Sequence, residues 1–203
     1  MEISTFTKLK EKEKNARRNI IIDAAEKEFA SKPFNRVNMR DIAKKAGISP
    51  ASIYRYFPDQ QSLFVEAFVR GTKDIFTRLH EIVDGSDDGA FEKVTEEFID
   101  YFTRNDQYFR MMMHFFLDGS VDTDVFDKLT GLERKLLLDF DAIFEKIRAK
   151  GNIRFNSHTL FSTLVGIVAT FRNHPGKNED DILKHRQRIG RNITRLFLNN
   201  SEK

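Results

Sequence analysis

Apolar residues recur at three- and four-residue spacing along almost the whole chain, and 10 glycines and 4 prolines among 203 residues rarely interrupt it. That is the period of a helix with one buried face, and no stretch holds the two-residue alternation of a half-buried strand. The chain is therefore expected to be all-α, with about nine helices. The first runs from about Glu13 to Ser31, turning Ile21, Ala24, Ala25 and Phe29 inward. A fourth, from Gln60 to Val83, carries Phe64, Phe68, Ile75, Leu79 and Ile82 and ends in D-G-S-D-D-G at positions 84–89. Phe91, Val94, Phe98 and Phe102 mark a fifth, Tyr108 to Phe116 a sixth, and Leu132 to Ile147 a seventh that stops at Gly151. The last two run from about Ser157 to Asn173 and from Glu179 to Asn199, parted by N-H-P-G-K.

The second and third helices fall within N-M-R-D-I-A-K-K-A-G-I-S-P-A-S-I-Y-R-Y-F, positions 38–57. Asn38 is placed to cap a short helix whose third residue, Asp41, reaches back to the cap, close to a capping box. Ile42, Ala43 and Ala46 form its apolar stripe, and the alanines are small enough for a second helix to approach closely. Gly47 stands where that helix must stop, because a left-handed cap costs glycine little. Ile48 then turns to the core, Ser49 caps the next helix, and Pro50 occupies its first turn, where no amide is needed. Two short helices joined this tightly, the second presenting Ser52, Tyr54, Arg55 and Tyr56, have the layout of a helix-turn-helix DNA reader.

From about Arg17 to Phe68 the chain resembles the DNA-binding domain of the tetracycline-repressor (TetR) family of bacterial transcription regulators. The resemblance rests on I-I-D-A-A-E-K-E-F-A (21–30), D-I-A-K-K-A-G-I-S, Y-R-Y-F and the following P-D-Q-Q-S-L-F (58–64). It implies an N-terminal arm and helix-turn-helix domain over residues 1–60, and an effector-binding and dimerisation domain over 61–203, with helix 60–83 linking them. It makes Pro50 to Tyr56 the recognition helix, with Ser49, Ala51, Ser52 and Arg55 candidates for base edges. Arginine pairs with guanine, and alanine touches a thymine methyl. Tyr54 and Tyr56 match phosphate-contacting hydroxyls, and Arg40 with the Asn38 region should hold the backbone. Many family members carry lysine where this chain has Gln60, which still donates a hydrogen bond but brings no charge. The basic arm (Lys8, Lys10, Lys12, Lys14, Arg17, Arg18) is a candidate to compensate along the backbone or in the minor groove.

The body is rich in phenylalanine, 20 in the whole chain. Phe98, Tyr101, Phe102, Tyr108, Met112, Phe115, Phe116, Phe140, Phe144, Phe161 and Val165 could line an apolar cavity. By pattern alone, aromatics at helical spacing read more readily as plain core; the resemblance implies an effector pocket between the middle helices, suited to a small hydrophobic molecule. The eighth helix is apolar nearly all round, so more than one of its faces must be covered. A partner subunit is the expected cover, and family members pair their last two helices into a four-helix dimer bundle. The expected interface is Leu160, Leu164, Ile167, Val168, Phe171, Ile182, Ile189, Ile193, Leu196 and Phe197. A dimer should then read a near-palindromic operator in double-stranded DNA, and an effector pushing the fourth helix near Arg70–Gly71–Thr72 should release it; repression is the family's more frequent sign.

Charge agrees with a polyanion partner for the first part. Residues 1–60 hold 13 Lys and Arg against 8 Asp and Glu, residues 61–130 hold 7 against 15, and residues 131–203 hold 14 against 8. Solvated helix faces would give the same runs, but not beside a helix-turn-helix. Zero cysteines exclude a disulfide framework and any thiolate chemistry. No apolar run approaches the roughly 20 residues a membrane helix needs, and the N-terminus lacks a secretion signal's apolar stretch, so no membrane partner and a bacterial cytoplasmic, nucleoid-associated location are expected. His80, His114, His158, His174 and His185 are scattered without metal-ligand spacing, and no phosphate loop or nucleophile elbow occurs, so neither an enzyme nor a cofactor or metal is expected. Asp84, Ser86, Asp88 and Gly89 match the start of an EF-hand loop, but its twelfth position is Thr95 where a bidentate Glu is required. The rival reading within DNA binding is an effector-independent architectural regulator with a fully packed body.

Overall fold

The computed structural model describes residues 5–85, 89–117, 123–172 and 176–199, the side chains of residues 123–126 excepted. Residues 86–88 of the EF-hand-like loop, and His174, lie outside that set. Among the described residues the chain is all-α: α1 (Thr5–Ser31), α2 (Met39–Lys45), α3 (Pro50–Ile53), α4 (Gln60–Asp84), α5 (Ala90–Arg104), α6 (Asp106–Leu117), α7 (Thr123–Lys146), α8 (Ile153–Thr170) and α9 (Glu179–Asn199). A single 3-10 turn, Phe34–Arg36, follows α1.

The helices gather into two compact units, one formed by Met1–Gly71 with Arg110–Lys128 and the other by Thr72–Phe109 with Leu129–Lys203. The boundary between these compact units runs through α4, the helix expected to link head and body, and returns in α6. Side-chain chemistry explains the return. In the first unit, the Arg110 guanidinium donates to the Ala30 carbonyl at 2.5 Å. His114 stacks on Phe34 at 4.4 Å, and Phe115 meets Phe64 at 5.1 Å. Phe64 in turn meets Phe29 edge-on at 4.7 Å. This aromatic group continues into the buried Ile21, Ala25, Ile42, Ala43, Ile53, Phe57 and Leu63.

α1 begins two turns earlier than its apolar pattern suggests. Residues 8–14 are Lys, Leu and Glu, all good helix formers, with no glycine or proline before Pro33, and Arg17 pairs with Glu13 one turn back at 2.6 Å. The expected N-terminal arm is therefore helical from Thr5 onward.

In the second unit α5, α8 and α9 pack together. α5 contributes Phe91, Val94, Phe98, Ile99 and Phe102, and α9 contributes Leu183, Arg186, Gly190 and Thr194. Those α9 positions repeat every three or four residues, one helical face. Gly190 lets the backbones close: a Cβ there would stand 2.6 Å from Ile99 Cδ1 and 3.0 Å from Thr95 Cγ2. Arg186, buried among them, donates from Nη2 to the Val168 carbonyl at 2.6 Å and from Nη1 to Thr103 Oγ1 at 2.9 Å. It thereby satisfies a carbonyl in the last turn of α8 that no intrahelical amide reaches. Burial pushes its guanidinium pKa down, with Arg172 adding repulsion and Asp106 opposing both.

Candidate nucleic-acid interface

α2 starts as its sequence requires. The Asn38 backbone is extended and its Oδ1 accepts the Asp41 amide at 2.9 Å, while Asn38 Nδ2 donates to Asp41 Oδ2 at the same distance. Asp41 thus reaches the side-chain amide of the cap rather than its backbone N–H. α2 ends on Gly47 at φ +70°. There the Gly47 amide bonds the Lys44 carbonyl and the Ile48 amide bonds the Ala43 carbonyl, at 3.2 and 3.0 Å. This is the paired bonding of a Schellman end, and only glycine takes its backbone angle without strain.

α3 is shorter than expected. Ser49 Oγ accepts the Ser52 amide at 3.2 Å and Pro50 occupies the first turn, but the α-helix closes after Ile53. Tyr54 to Phe57 continue it as a turn held by amides of Arg55, Tyr56 and Phe57 on the Ser52 and Ile53 carbonyls. Ile53 and Phe57 are buried, so successive turns leave Ala51, Tyr54 and Arg55 exposed while Ser52 and Tyr56 are half-buried. The two hydroxyls proposed for base edges are already engaged with one another, Ser49 Oγ lying 2.8 Å from Ser52 Oγ. Gln60 is likewise turned inward: its Nε2 donates to the Phe34 carbonyl at 2.8 Å, tying α4 to the 3-10 turn.

Beyond Lys8, Lys12, Lys14 and Lys27 of α1, which are exposed and form no ion pair among the described residues, the cations of this unit divide into two sets. Arg36, Arg40, Lys44 and Arg55 are exposed, and none forms an ion pair among the described residues. Arg40 and Lys44 are one helical turn apart on α2, a spacing that aligns them on one face. The others are held. Arg18 donates to Glu66 at 2.9 Å and lies over the Phe57 ring. Arg70 bridges Asp23 and Glu26 at 2.6 and 2.7 Å. Lys32 and Lys45 share the two oxygens of Glu28, each at 2.8 Å. Four exposed, unpaired cations around a capped turn suit phosphate oxygens.

The residues expected to line a pocket are not gathered in one unit. Phe98, Phe102, Phe140 and Phe144 are fully buried in the second, Tyr101 nearly so, and Tyr108, Phe161 and Val165 are half-buried there. Met112 and Phe115 belong to the first unit, and Phe116 is 50% exposed. The expected dimer residues also divide. Leu160, Leu164, Ile167 and Val168 point into their own subunit, all at 6% exposure or less. Groups covered so completely by their own chain leave no surface for a partner, which corrects the expectation for α8. Its outward side is Phe155, His158, Thr159 and Ser162, with Phe155 at 71% exposure. Phe171 packs on His185, and Phe197 on Phe144 at 4.9 Å. On α9, Ile182, Ile189 and Ile193 are half-buried and Leu196 is exposed, a stripe beside the inner face.

Sequence reasoning passed over Glu28, Lys45, Arg186 and Gly190. Three of them carried a signal: Glu28 falls in phase with the apolar stripe of α1, and Arg186 and Gly190 fall in phase with Leu183.

Residues 21–67 match the family model described as bacterial regulatory proteins, tetR family. The HTH-type transcriptional regulator YobS of Bacillus subtilis is 24% identical over 168 residues, covering 81% of this chain and 84% of YobS. The HTH-type transcriptional repressor KstR2 of Rhodococcus jostii is 37% identical over 71 residues, 34% of each chain. The fold is similar to that of FadR from Bacillus subtilis, crystallised with stearoyl-CoA, at a TM-score of 0.70 and 16% identity, covering 90% of this chain and 98% of that one. A helix-turn-helix of this construction has the layout of a DNA-binding head. Over residues 21–67 that head is similar to the tetR family of bacterial regulatory proteins, and the curated relatives of the chain are named transcriptional regulators. No helix among the described residues is long and apolar enough to cross a membrane.

Proposed function

We propose that the protein is a repressor that reads a near-palindromic operator as a homodimer and is released by a small hydrophobic effector. The observation that carries this reading is the set of unpaired, exposed Arg36, Arg40, Lys44 and Arg55 around the Ser49-capped turn. Arg55 is the principal base reader, with Ala51 and Tyr54 beside it; Arg36, Arg40 and Lys44 hold phosphates. Two copies present two such turns, which suit half-sites about 34–36 Å apart. The α9 stripe of Ile182, Ile189, Ile193 and Leu196, with the exposed Phe155 of α8, supports pairing through these helices. The FadR chain of like fold binds stearoyl-CoA, which together with the aromatic interior supports an effector bearing an acyl or other apolar group.

The test is fluorescence anisotropy of the purified protein on its own upstream DNA across a salt series, beside Arg55→Ala, with mass determined by light scattering. Tight, steeply salt-dependent binding by a dimer, lost in the variant, supports the reading. Binding indifferent to sequence and to Arg55 defeats it. Acyl compounds added to the complex then test release. A packed, effector-independent body is the second reading, favoured by the complete burial of Phe98, Phe102, Phe140 and Phe144; absence of thermal stabilisation by any apolar ligand would select it.

A further inference from the structure

Glu28 is an anomaly within α1. It lies on the inward stripe with Ile21, Ala24, Ala25 and Phe29, where the helical period calls for an apolar side chain, and it is only 8% exposed. A carboxylate so placed loses hydration, and an apolar residue of similar size would serve stability as well. What it does instead is hold two lysines from two helices. Oε2 takes Lys32 just past the end of α1, and Oε1 takes Lys45 in the last turn of α2, both at 2.8 Å. Lys32 also stands 3.7 Å from Asp41, whose other contact is the Asn38 cap. Lys45 precedes the Gly47 turn by two residues and adjoins Lys44, which carries no such pair.

We propose that Glu28 is a specificity-determining residue that withholds Lys32 and Lys45 from DNA phosphates. The proposal rests on DNA binding by this unit. A regulator discriminates by the ratio of operator to random-sequence affinity, and every extra phosphate contact raises both affinities together. Two free lysines, one just past α1 beside the start of α2 and one in the last turn of α2, would add sequence-blind attraction and make the protein dwell on random DNA. Glu28 neutralises them inside the unit, so that around the helix-turn-helix the cations left to face phosphate are those on the 3-10 turn, at the exposed positions of α2 and at Arg55; the exposed lysines of α1 lie outside this control. Lys32 and Lys45 stay about two-fifths exposed, so they are close enough to solvent to reach phosphate once released.

The experiment measures binding of the full chain to a random-sequence 30-base-pair duplex, about three helical turns, by anisotropy across a salt series. Wild type is set beside Glu28→Gln, Glu28→Met, Lys45→Gln and the double variant Glu28→Gln/Lys45→Gln, with melting temperature recorded for each. The Glu28 variants should bind random DNA roughly fivefold more tightly per released lysine, and the slope of log K against log salt should steepen by about 0.9 for each. Lys45→Gln in the wild-type background should leave the slope unchanged, and in the Glu28→Gln background should return it by about 0.9. A merely structural Glu28 would lower the melting temperature and weaken binding without steepening the slope, which overturns the proposal. So does a shallower slope in Lys45→Gln alone, a measurement that stands even where the Glu28 variants fail to fold. Should no duplex be preferred over any other, the operator reading of the previous section fails, while these slopes still decide the role of Glu28.

Discussion

The two compact units are held together by different physics. The first adds to its aromatic core a set of short-range polar bonds: a cap at Asn38, a Schellman turn at Gly47, a cap at Ser49, and ion pairs from Arg18, Arg70 and Glu28 that fasten α1 to α2 and α4. The second relies on area and fit. Phe98 meets Phe102 at 4.8 Å, Phe144 meets Phe91 and Phe197 at 5.3 and 4.9 Å, and α9 touches α5 at a glycine. Two short helices, one of four residues, cannot bury enough surface to fix their own angle, so polar bonds must fix it. Long helices with aromatic faces fix their angle mainly by buried area, with Arg186 adding a polar tie of α9 to α5 and α8. The unit whose geometry must match another molecule is thus the one whose angles are set by directional bonds.

The largest effect should come from removing area in the second unit. Phe98→Ala deletes a fully buried ring and should lower unfolding free energy by about 3–5 kcal/mol, measured by denaturant titration. A loss below about 1 kcal/mol would break the comparison, because it would mean that the ring borders empty space, and would favour the effector pocket over the packed body.

Arg55→Ala should leave stability unchanged, since the side chain is exposed and unpaired. It should cost about 1–3 kcal/mol of discrimination for a preferred duplex. If Arg40→Ala weakens all sequences equally while Arg55→Ala weakens one, the division between positioning and reading holds. Equal, uniform losses from both would assign Arg55 to phosphate.

In the first unit a single cap should matter measurably. Asn38→Ala removes the acceptor of the Asp41 amide and should destabilise by about 1 kcal/mol, read from thermal melts. Asn38→Asp should recover most of that, because a carboxylate caps equally well and favours a helix N-terminus. No change in either variant would show that the tertiary ion pairs alone orient α2.

How much of this was legible follows from the same contrast. Asn38, Gly47, Ser49 and Pro50 act on residues within four positions of themselves, so their roles could be read directly from their order. The inward face of α8 could not, because Leu160, Leu164, Ile167 and Val168 sit in a helix apolar nearly all round, and its neighbours, α5, α9 and α7 through Asp141, decide which side is covered. The extra turns of α1 escaped because Lys and Glu residues that favour helix bury nothing, and apolar period was the signal followed. Gln60 and Ser52 read as DNA contacts because their partners, the Phe34 carbonyl and the Ser49 hydroxyl, are recognised only once the chain is folded. Glu28 was legible in principle, as a charge in an apolar phase.

The smallest effect tests whether the second unit carries any directional bond that titrates near neutrality. His80 on α4 shares a hydrogen bond with Asp139 on α7, Nδ1 to Oδ1 at 2.8 Å. That bond and the charge of Asp139 raise the imidazole pKa above its ordinary 6.5, with Asp84 and Glu81 adding to it and desolvation opposing. The folded-state value lies above the unfolded one, so protonation favours the folded state. The gain is fully present below the unfolded value and disappears as pH rises through the raised folded value. His80 is two-thirds exposed, so solvent screens the pair and the effect is small. Melting temperatures of wild type and His80→Gln should differ at roughly one pH unit below the ordinary imidazole value and converge well above it. A difference that persists at high pH would assign His80 a packing role independent of charge. No difference at either pH would leave the second unit with apolar fit, and no titrating bond between α4 and α7, to hold them.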